Sequence, residues 1–217
     1  MRRIIGLVAL VGVALAASAD EVLSAAQAYL KAGPWRALVE GELRTPSGEV
    51  TSTKMRVLAL PSEGVVRVEF LAPGSVADNF VVITPEKVYN YLFLTNQLVV
   101  YPRERARIEG LGIQLGRIGE LDRLGGEAGL RWRLAGEEAT DAGPAYRLVG
   151  EPEDPEEAGF ARVELWVLKD PPRPLRYRVV GVGGEVLADL VWKEFERAQL
   201  SRAALLDYPP DAEVIEK

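Results

Sequence analysis

The sequence predicts a mainly β protein of the α+β class, built around one wide, curled antiparallel sheet of about nine to eleven strands. Three observations support this prediction. Apolar and charged residues alternate with a period of two over most of the chain after Trp35. Apolar residues at helical spacing are confined to a stretch before Gly33 and to one in mid-chain. Turn sequences rich in Gly and Pro separate the alternating stretches.

Residues 1–19 have the pattern of a secretory signal peptide. Two arginines precede an apolar run that is shorter than the roughly 20 residues needed to span a bilayer. Ala17-Ser18-Ala19 then matches the A-x-A cleavage pattern. We therefore expect cleavage after Ala19, export of the remaining chain, and a single domain over residues 20–217.

The first element of that domain is predicted to be an amphipathic helix that ends at Gly33-Pro34. Its apolar residues recur every one, three or four positions, as expected for one buried face. These residues are Val22, Leu23, Ala26, Tyr29 and Leu30.

Six short strands are predicted in the first half of the domain. Charged residues such as Arg36 and Glu40 occupy one face of the first strand, so its apolar face is expected to turn inward. Turns at Pro46-Ser47-Gly48 and Pro73-Gly74 mark strand ends. This first strand starts at Trp35, and the others contain 55–59, 66–70, 80–83, 88–93 and 98–101.

The middle of the chain, from Pro102 to Leu124, is predicted to be a second helical segment. Its apolar residues recur at steps of three and four, but glycines interrupt them, and each costs about 1 kcal/mol relative to alanine. We therefore expect 103–124 to be a mobile cover that packs against the sheet. Strands resume at 131–134, 146–150, 160–168, 175–182 and 186–195, with a Pro- and Glu-rich loop over 151–159.

The predicted sheet has one apolar face, which a wide sheet turns inward as it curls. Val66, Val68 and Phe70 alternate with Arg67 and Glu69. Charged side chains favour water, so the Val/Phe face is expected to be the inner one. Two interpretations of the concavity stay open: either helices fill it and make an ordinary core, or a ligand occupies it.

Histidine and cysteine do not occur in the 217-residue sequence. This composition excludes disulfides, zinc sites with Cys or His ligands, thiol nucleophiles and Ser-His-Asp triads. The net charge is −6, whereas nucleic-acid-binding proteins typically carry an excess of basic residues. Aspartate, glutamate, lysine, serine and tyrosine remain as possible catalysts, but no motif is a specific catalytic signature. We therefore expect a protein that is not an enzyme and that has no cofactor, no metal site and no nucleic-acid partner.

Two further patterns look like sites but are interpreted as structural. Gly110, Gly112 and Gly116 have neither the spacing nor the βαβ context of a phosphate-binding loop. The acidic stretch from Glu151 to Glu157 lacks the alternating ligand spacing of a calcium loop. The glycines fit close packing or a loosened lid, and the carboxylates fit a solvated loop.

Three stretches occur in an order typical of one known family. They are paired strands closing on Pro61 and Pro73, an aromatic strand with Tyr89 and Tyr91 before a hairpin, and an ending with two prolines after Tyr208. Their bounds are 55–61 with 66–73, 88–91 with 96–100, and 174–178 with 186–192 and 208–215. Together they resemble the LolA-like periplasmic carriers of outer-membrane lipoproteins.

The resemblance implies an unclosed antiparallel β-barrel whose mouth is plugged by the N-terminal helix and the inserted helical lid. Its apolar lining would bind the acyl chains of a lipoprotein, or another lipid, in transit towards the outer membrane. An inner-membrane transporter would be the releasing partner of such a carrier or chaperone. The residues expected to line the cavity are Val57, Val66, Val68, Phe70, Phe80, Val82, Tyr89, Tyr91, Phe93, Leu111, Leu115, Val163, Leu165, Tyr177, Val179, Leu190 and Trp192.

The sequence departs from the family's pattern at one position. Some members place an arginine immediately before the first of those prolines, where it ties the lid to the barrel, but here Leu60 precedes Pro61. Two alternatives to a lipoprotein carrier therefore stay open. One is a regulatory sensor like the related RseB-like proteins, which sense mislocalised lipoproteins and bind an anti-sigma factor. The other is a carrier of free lipids or glycolipids.

Overall fold

Twelve β-strands in the described residues lie side by side in one unclosed sheet. The computed structural model describes residues 17–45, 47–103 and 130–217. In chain order the strands are β1 (Trp35–Arg44), β2 (Val50–Leu60), β3 (Val65–Ala72), β4 (Phe80–Ile83), β5 (Lys87–Leu92), β6 (Gln97–Pro102), β7 (Leu130–Thr140), β8 (Gly143–Pro152), β9 (Arg162–Leu168), β10 (Pro174–Val180), β11 (Val186–Arg197) and β12 (Glu213–Glu216). The α-helices are α1 (Ala19–Lys31), α2 (Pro155–Ala158) and α3 (Arg202–Leu205), and 3-10 turns lie at Pro61–Glu63 and Phe93–Thr95.

The sheet consists of two antiparallel meanders that meet at one pair of strands. Strands β1 to β6 pair consecutively, as do β7 to β11, and β1 pairs with β11 between the two meanders. The last strand, β12, lies parallel to β6. Among the described strands, the two edges of the sheet are therefore β12 and β7, and they do not pair with each other.

The predicted fold class is confirmed: the protein is mainly β, with an unclosed sheet and an N-terminal helix. The sheet has twelve strands in the described residues rather than about nine to eleven, and it is mixed rather than purely antiparallel. The additional strand is β12, and the short helices α2 and α3 were also not predicted. The predicted lid over 103–124, apart from Arg103, and the leader up to residue 16 lie outside the described residues.

Helix α1 starts with a capping box and packs through one apolar face. The Ser18 hydroxyl accepts a hydrogen bond from the Glu21 N–H, and a Glu21 carboxylate oxygen accepts one from the Ser18 N–H. Ala19, the residue before the predicted cleavage bond, is buried as the first residue of the helix. Cleavage after Ala19 stays a prediction. Among the residues with a described structure, no helix combines the length and the apolar character needed to cross a membrane.

The sheet has two differently covered faces. We call the face that contacts α1 the inner face, and the opposite one the outer face. The inner face carries the larger hydrophobic cluster, which extends over both meanders. A second cluster lies on the outer face of β3 to β6, where it includes Leu205 of α3.

Candidate functional site

The inner face is apolar from β3 through β1 and β11 to β7. Residues paired across neighbouring antiparallel strands project to the same face. Val57 pairs with Val68 across β2 and β3, and Leu190 pairs with Tyr177 across β11 and β10. The structure places ten of the predicted lining residues on this face: Val57, Val66, Val68, Phe70, Val163, Leu165, Tyr177, Val179, Leu190 and Trp192.

Helix α1 packs across this face and closes its central part. Ala26 of the helix has no exposed surface, and neither do Val57 of β2 and Leu165 of β9. Val68 is 1% exposed. The helix-filled interpretation of the concavity therefore applies to the centre of the face, which is hydrophobic core in this structure.

A further apolar part of the inner face is only half-buried. It consists of Trp132, Leu134, Tyr146, Tyr177 and Val179, which we call the β7–β10 patch. The patch is continuous with the core, because these side chains pack against it. Two of its members, Tyr177 and Val179, were predicted from the sequence to line the cavity. The other three could have been found from the alternation of apolar and charged residues in β7 and from the apolar face of β8.

The patch depends on a glycine under its largest ring. Gly150 of β8 pairs with Trp132 of β7, and a Cβ atom at Gly150 would lie 2.9 Å from the indole ring. An ion pair borders the patch on the same side. The ion pair meets the patch at Tyr146. Lys169 Nζ lies 2.5 Å from a Glu137 carboxylate oxygen and 4.5 Å from the centre of the Tyr146 ring. The hydrogen bond from Lys169 to Glu137 raises the pKa of Lys169.

Four residues of β4 and β5 were predicted to face inward, and this prediction is wrong. They are Phe80, Val82, Tyr89 and Tyr91. Phe80 pairs with Glu69 of β3 and with Tyr91 of β5, and Glu69 lies on the outer face. Val82 and Tyr89 pair with each other on that same outer face. The rings of Phe80 and Tyr91 stack there with their centres 4.8 Å apart.

Phe80, Val82 and Tyr91 are buried and Tyr89 is half-buried, because residues 198–212, which we call the C-terminal segment, cover the outer face at β3 to β6. Leu205 in this segment is 1% exposed and belongs to the outer cluster. Strand β4 is consequently buried on both faces, with all four of its residues inaccessible. A strand buried on both faces shows no alternation, so its phase could not be inferred from its sequence.

Three other predicted lining residues lie elsewhere. Phe93 starts a 3-10 turn after β5 and is half-exposed, beside the almost fully exposed Leu94. This corrects the expectation that Phe93 lines the cavity. Leu111 and Leu115 lie outside the described residues.

Polar groups gather where α1 ends against β1 and β11. The Phe195 ring stacks on Trp35 with centres 5.1 Å apart, and the Arg173 guanidinium lies 5.4 Å from the centre of Phe195. Burial lowers the pKa of Arg173, and Tyr29 opposes this shift. Arg173 Nη1 and Trp35 Nε1 are both buried without a hydrogen-bond partner among the described residues. Arg197 does not share this situation, because it donates to the carbonyl oxygen of Tyr29 at the helix end.

An ion-pair network occupies the outer face of β8 to β11. Glu164, whose side chain is 2% exposed, accepts a hydrogen bond from Arg162 and lies 3.2 Å from Arg147. Asp189 accepts hydrogen bonds from Arg176 and Arg178. Burial raises the pKa of each carboxyl group, but the neighbouring arginines outweigh it and lower the pKa of both.

The acidic stretch in the loop after β8 caps a helix. One Asp154 carboxylate oxygen accepts hydrogen bonds from the backbone N–H groups of Glu156 and Glu157, at the start of α2. In the part of the chain that the structure describes, no group of acidic side chains is arranged to hold a metal ion.

One solved structure matches this chain in both sequence and fold. It is an uncharacterised conserved protein from Thermus thermophilus, which is 38% identical over 92% of this chain and 99% of its own, with a TM-score of 0.70. The chain belongs to the family of this Thermus protein. No family model matches the chain, and a search among curated proteins gives no match.

Family members share their fold with more distant proteins. MucB from Pseudomonas aeruginosa, solved with MucA, has a TM-score of 0.54 and 17% identity over 91% of this chain. This chain spans only 63% of MucB. A LolA superfamily protein from Nitrosomonas europaea has a TM-score of 0.47 and 15% identity, over 88% of this chain and 99% of its own. The match to MucB shows that this chain shares that protein's fold, in agreement with the LolA-like, RseB-related fold that the resemblance implied.

Proposed function

We propose that this protein is an exported, periplasmic carrier of LolA type. It binds the acyl chains of lipoproteins at the β7–β10 patch and carries them towards the outer membrane. Its releasing partner is an inner-membrane transporter, and it performs no catalysis.

The observation that supports this proposal is the half-buried apolar patch, which is continuous with the core of an unclosed sheet. Trp132, Tyr146 and Tyr177 offer ring surface, and aromatic rings combine a large apolar contact area with a polar tip. Burial of an acyl chain yields about 0.8 kcal/mol per CH₂ group, so a chain of ~16 carbons would contribute on the order of 10 kcal/mol. A carrier must release its cargo, so it should realise only part of this binding free energy. A half-buried patch at the border of the core would bury only part of the acyl chain and would therefore meet this requirement.

The test compares two valines on opposite faces of neighbouring strands. Val179 of β10 is a half-buried member of the patch, whereas Val191 of β11 is half-buried on the outer face, paired with Arg176. A charge in the patch would be desolvated by an acyl chain, whereas a carboxylate at Val191 stays beside an arginine. We expect Val179→Glu to weaken binding of a fluorescent fatty acid at least tenfold, and Val191→Glu to leave it within about twofold.

Val68 and Arg67 of β3 also lie on opposite faces of the sheet, but they are unsuitable positions for this test. Val68 is fully packed under α1, and Arg67 is bonded to the C-terminal segment, so substitutions there would disturb folding. Thermal melts of both valine variants establish that they are folded. Equal binding by the two folded variants would contradict the assignment of the patch.

The natural cargo can be identified directly. We expect mass spectrometry of lipid extracted from natively purified protein to show acyl chains, and co-purifying lipoproteins if the cargo is protein-linked. Free lipid alone would favour the lipid-carrier alternative over the lipoprotein carrier. Recovery of protein without any acyl compound, together with no binding of the fluorescent probe, would overturn the proposal.

A further inference from the structure

A cationic group without a counter-ion among the described residues lies next to the apolar core at the end of α1. Arg173 Nη1 is buried and has no acceptor there, and its guanidinium lies over Phe195, a side chain that packs against the inner-face cluster. Trp35 Nε1, whose indole stacks on the same Phe195, is a second buried donor for which the described chain offers no acceptor. Buried donors are normally paired, so two of them around one ring require an explanation.

The helix end does not use these donors. The carbonyl oxygens of Tyr29 and Gly33 at this helix end accept hydrogen bonds from Arg197 instead. The other arginines that we describe on the outer face of β8 to β11 contact Glu164 or Asp189. Arg173 differs from them because it has a buried N–H and no carboxylate partner within the described ranges.

We propose that Arg173 binds the anionic headgroup of an acyl ligand, a carboxylate or a phosphate, while the chain lies on the inner face. This inference rests on the proposed function and narrows it to amphiphiles with a charged head. A guanidinium is suited to this role because it donates several hydrogen bonds in the plane of a carboxylate or phosphate. Trp35 Nε1 supplies a further donor on the same aromatic cluster.

The test uses cis-parinaric acid and its methyl ester, which share one fluorescent chain and differ in the charge of the head. At pH 8 we expect the wild-type chain to bind the acid at least tenfold more tightly than the ester, since a charge-assisted hydrogen bond contributes about this factor. Arg173→Gln should bring the ratio of the two affinities close to one without changing the affinity for the ester. Arg173→Lys should retain part of the preference, because the charge remains.

A matched variant controls for the loss of any arginine. Arg133 of β7 has a largely exposed side chain with an ion pair to Glu151, and Arg133→Gln should leave the ratio unchanged. Arg173→Gln loses the contact with Phe195 but no ion pair with a residue that the structure describes, so a thermal melt should show it folded at the temperature of the binding assay, which separates binding from stability.

Each outcome bears on a different statement. Equal binding of acid and ester by the wild type, or an unchanged ratio in Arg173→Gln, would overturn the headgroup inference and leave the proposed function standing. Displacement of the ester by millimolar inorganic phosphate or acetate as readily as of the acid would also overturn it, because the ester has no anionic head for these ions to replace. Failure of the wild type to bind either probe would overturn the proposed function as well.

Discussion

Arg67 links the sheet to the C-terminal segment through four interactions. Its guanidinium donates to the carbonyl oxygens of Leu205 and Asp207, at 3.0 and 2.7 Å. It also forms an ion pair with Glu69 and lies 3.7 Å from the centre of the Phe80 ring. The side chain is only 12% exposed, so these interactions replace the water that a charged group would otherwise keep.

We expect Arg67→Met to lower the free energy of unfolding by about 1–2 kcal/mol, because the carbonyl groups of Leu205 and Asp207 lose their side-chain donor and Glu69 loses one of its two arginine partners. Urea unfolding followed by tryptophan fluorescence measures this loss. Arg56→Met is the control, since Arg56 pairs with the same Glu69 but is about half-exposed; its cost should stay below about 1 kcal/mol. Equal costs for the two variants would contradict the conclusion that Arg67 links the sheet to the C-terminal segment.

The outer position of Arg67 was predictable from its alternation with Val66 and Val68, but its burial was not. Alternation indicates which face of the sheet a side chain occupies. That this charged face is exposed to water was an additional assumption, and for Arg67 it does not hold. Here the covering residue Leu205 lies 138 positions further along the chain. No local pattern in β3 contains that information.

Helix α1 packs on the inner face with a small residue, Ala26, at the centre of its buried side. Ala26 has no exposed surface, and Val22, Leu23 and Leu30 around it are each at most 4% exposed. An alanine at the centre lets the helix backbone approach the sheet closely. The amphipathic spacing predicted this buried face correctly, because α1 is covered on one side only.

We expect Ala26→Leu to destabilise the protein by about 1–3 kcal/mol, since the added atoms have no space under the helix. Ala28→Leu, on the exposed side of α1, should change stability by less than about 0.5 kcal/mol. Thermal unfolding of both variants provides the comparison. A neutral or stabilised Ala26→Leu would mean that the helix does not pack closely on the sheet.

The assignment of faces succeeded for some strands and failed for others for one physical reason. In β1 and β3, charged residues such as Glu40 and Glu69 mark the outer face. In β4 and β5 they do not, because α3 and the residues around it make the outer face apolar as well. The candidate site was therefore predictable on β2, β3, β9, β10 and β11, and not on β4 and β5.

An ion-pair network, rather than a second apolar layer, covers the outer face of β8 to β11 in the described residues. Arg147 and Arg162 contact Glu164 from β8 and β9, and Arg178 of β10 lies near both Glu164 and Asp189 of β11. The network thus crosses four strands. Trp166 lies among these arginines, 5.5 Å from Arg147 and 5.7 Å from Arg178.

The lowered pKa of Glu164 predicts how the free energy of unfolding depends on pH. Because the folded-state pKa lies below the unfolded one, the ionised carboxylate stabilises the fold fully above about pH 5, and this contribution is lost as pH falls below about 4.5. Glu164→Gln should cost about 1–2 kcal/mol at pH 7, since the partly exposed Arg147 and Arg162 lose the buried carboxylate that they contact.

That cost should shrink between pH 7 and about pH 3.5, measured as the difference in urea-unfolding free energy between variant and wild type. Glu151→Gln, with its half-exposed ion pair, should show a small difference at both pH values. A cost for Glu164→Gln that does not change with pH would contradict the role of the ionised carboxylate.

The class, the unclosed sheet and the family-level fold were accessible from the sequence, whereas the order of strands across the sheet was not. Hairpin turns predict that consecutive strands pair, and they do so within each meander. The pairing of β1 with β11 and of β12 with β6 joins residues far apart in the chain, and no turn signal specifies such contacts.

The join between β1 and β11 also determines the order in which the chain can fold. Each meander forms from local contacts, which are fast, but Arg36 must wait for Glu196, 160 residues later, before the two strands pair. During that interval β1 is an open edge, where another chain could add a strand. Charged side chains disfavour such association, and β1 carries Arg36, Glu40, Glu42 and Arg44 on its outer face. We therefore expect the strand to resist pairing with another chain until β11 is available.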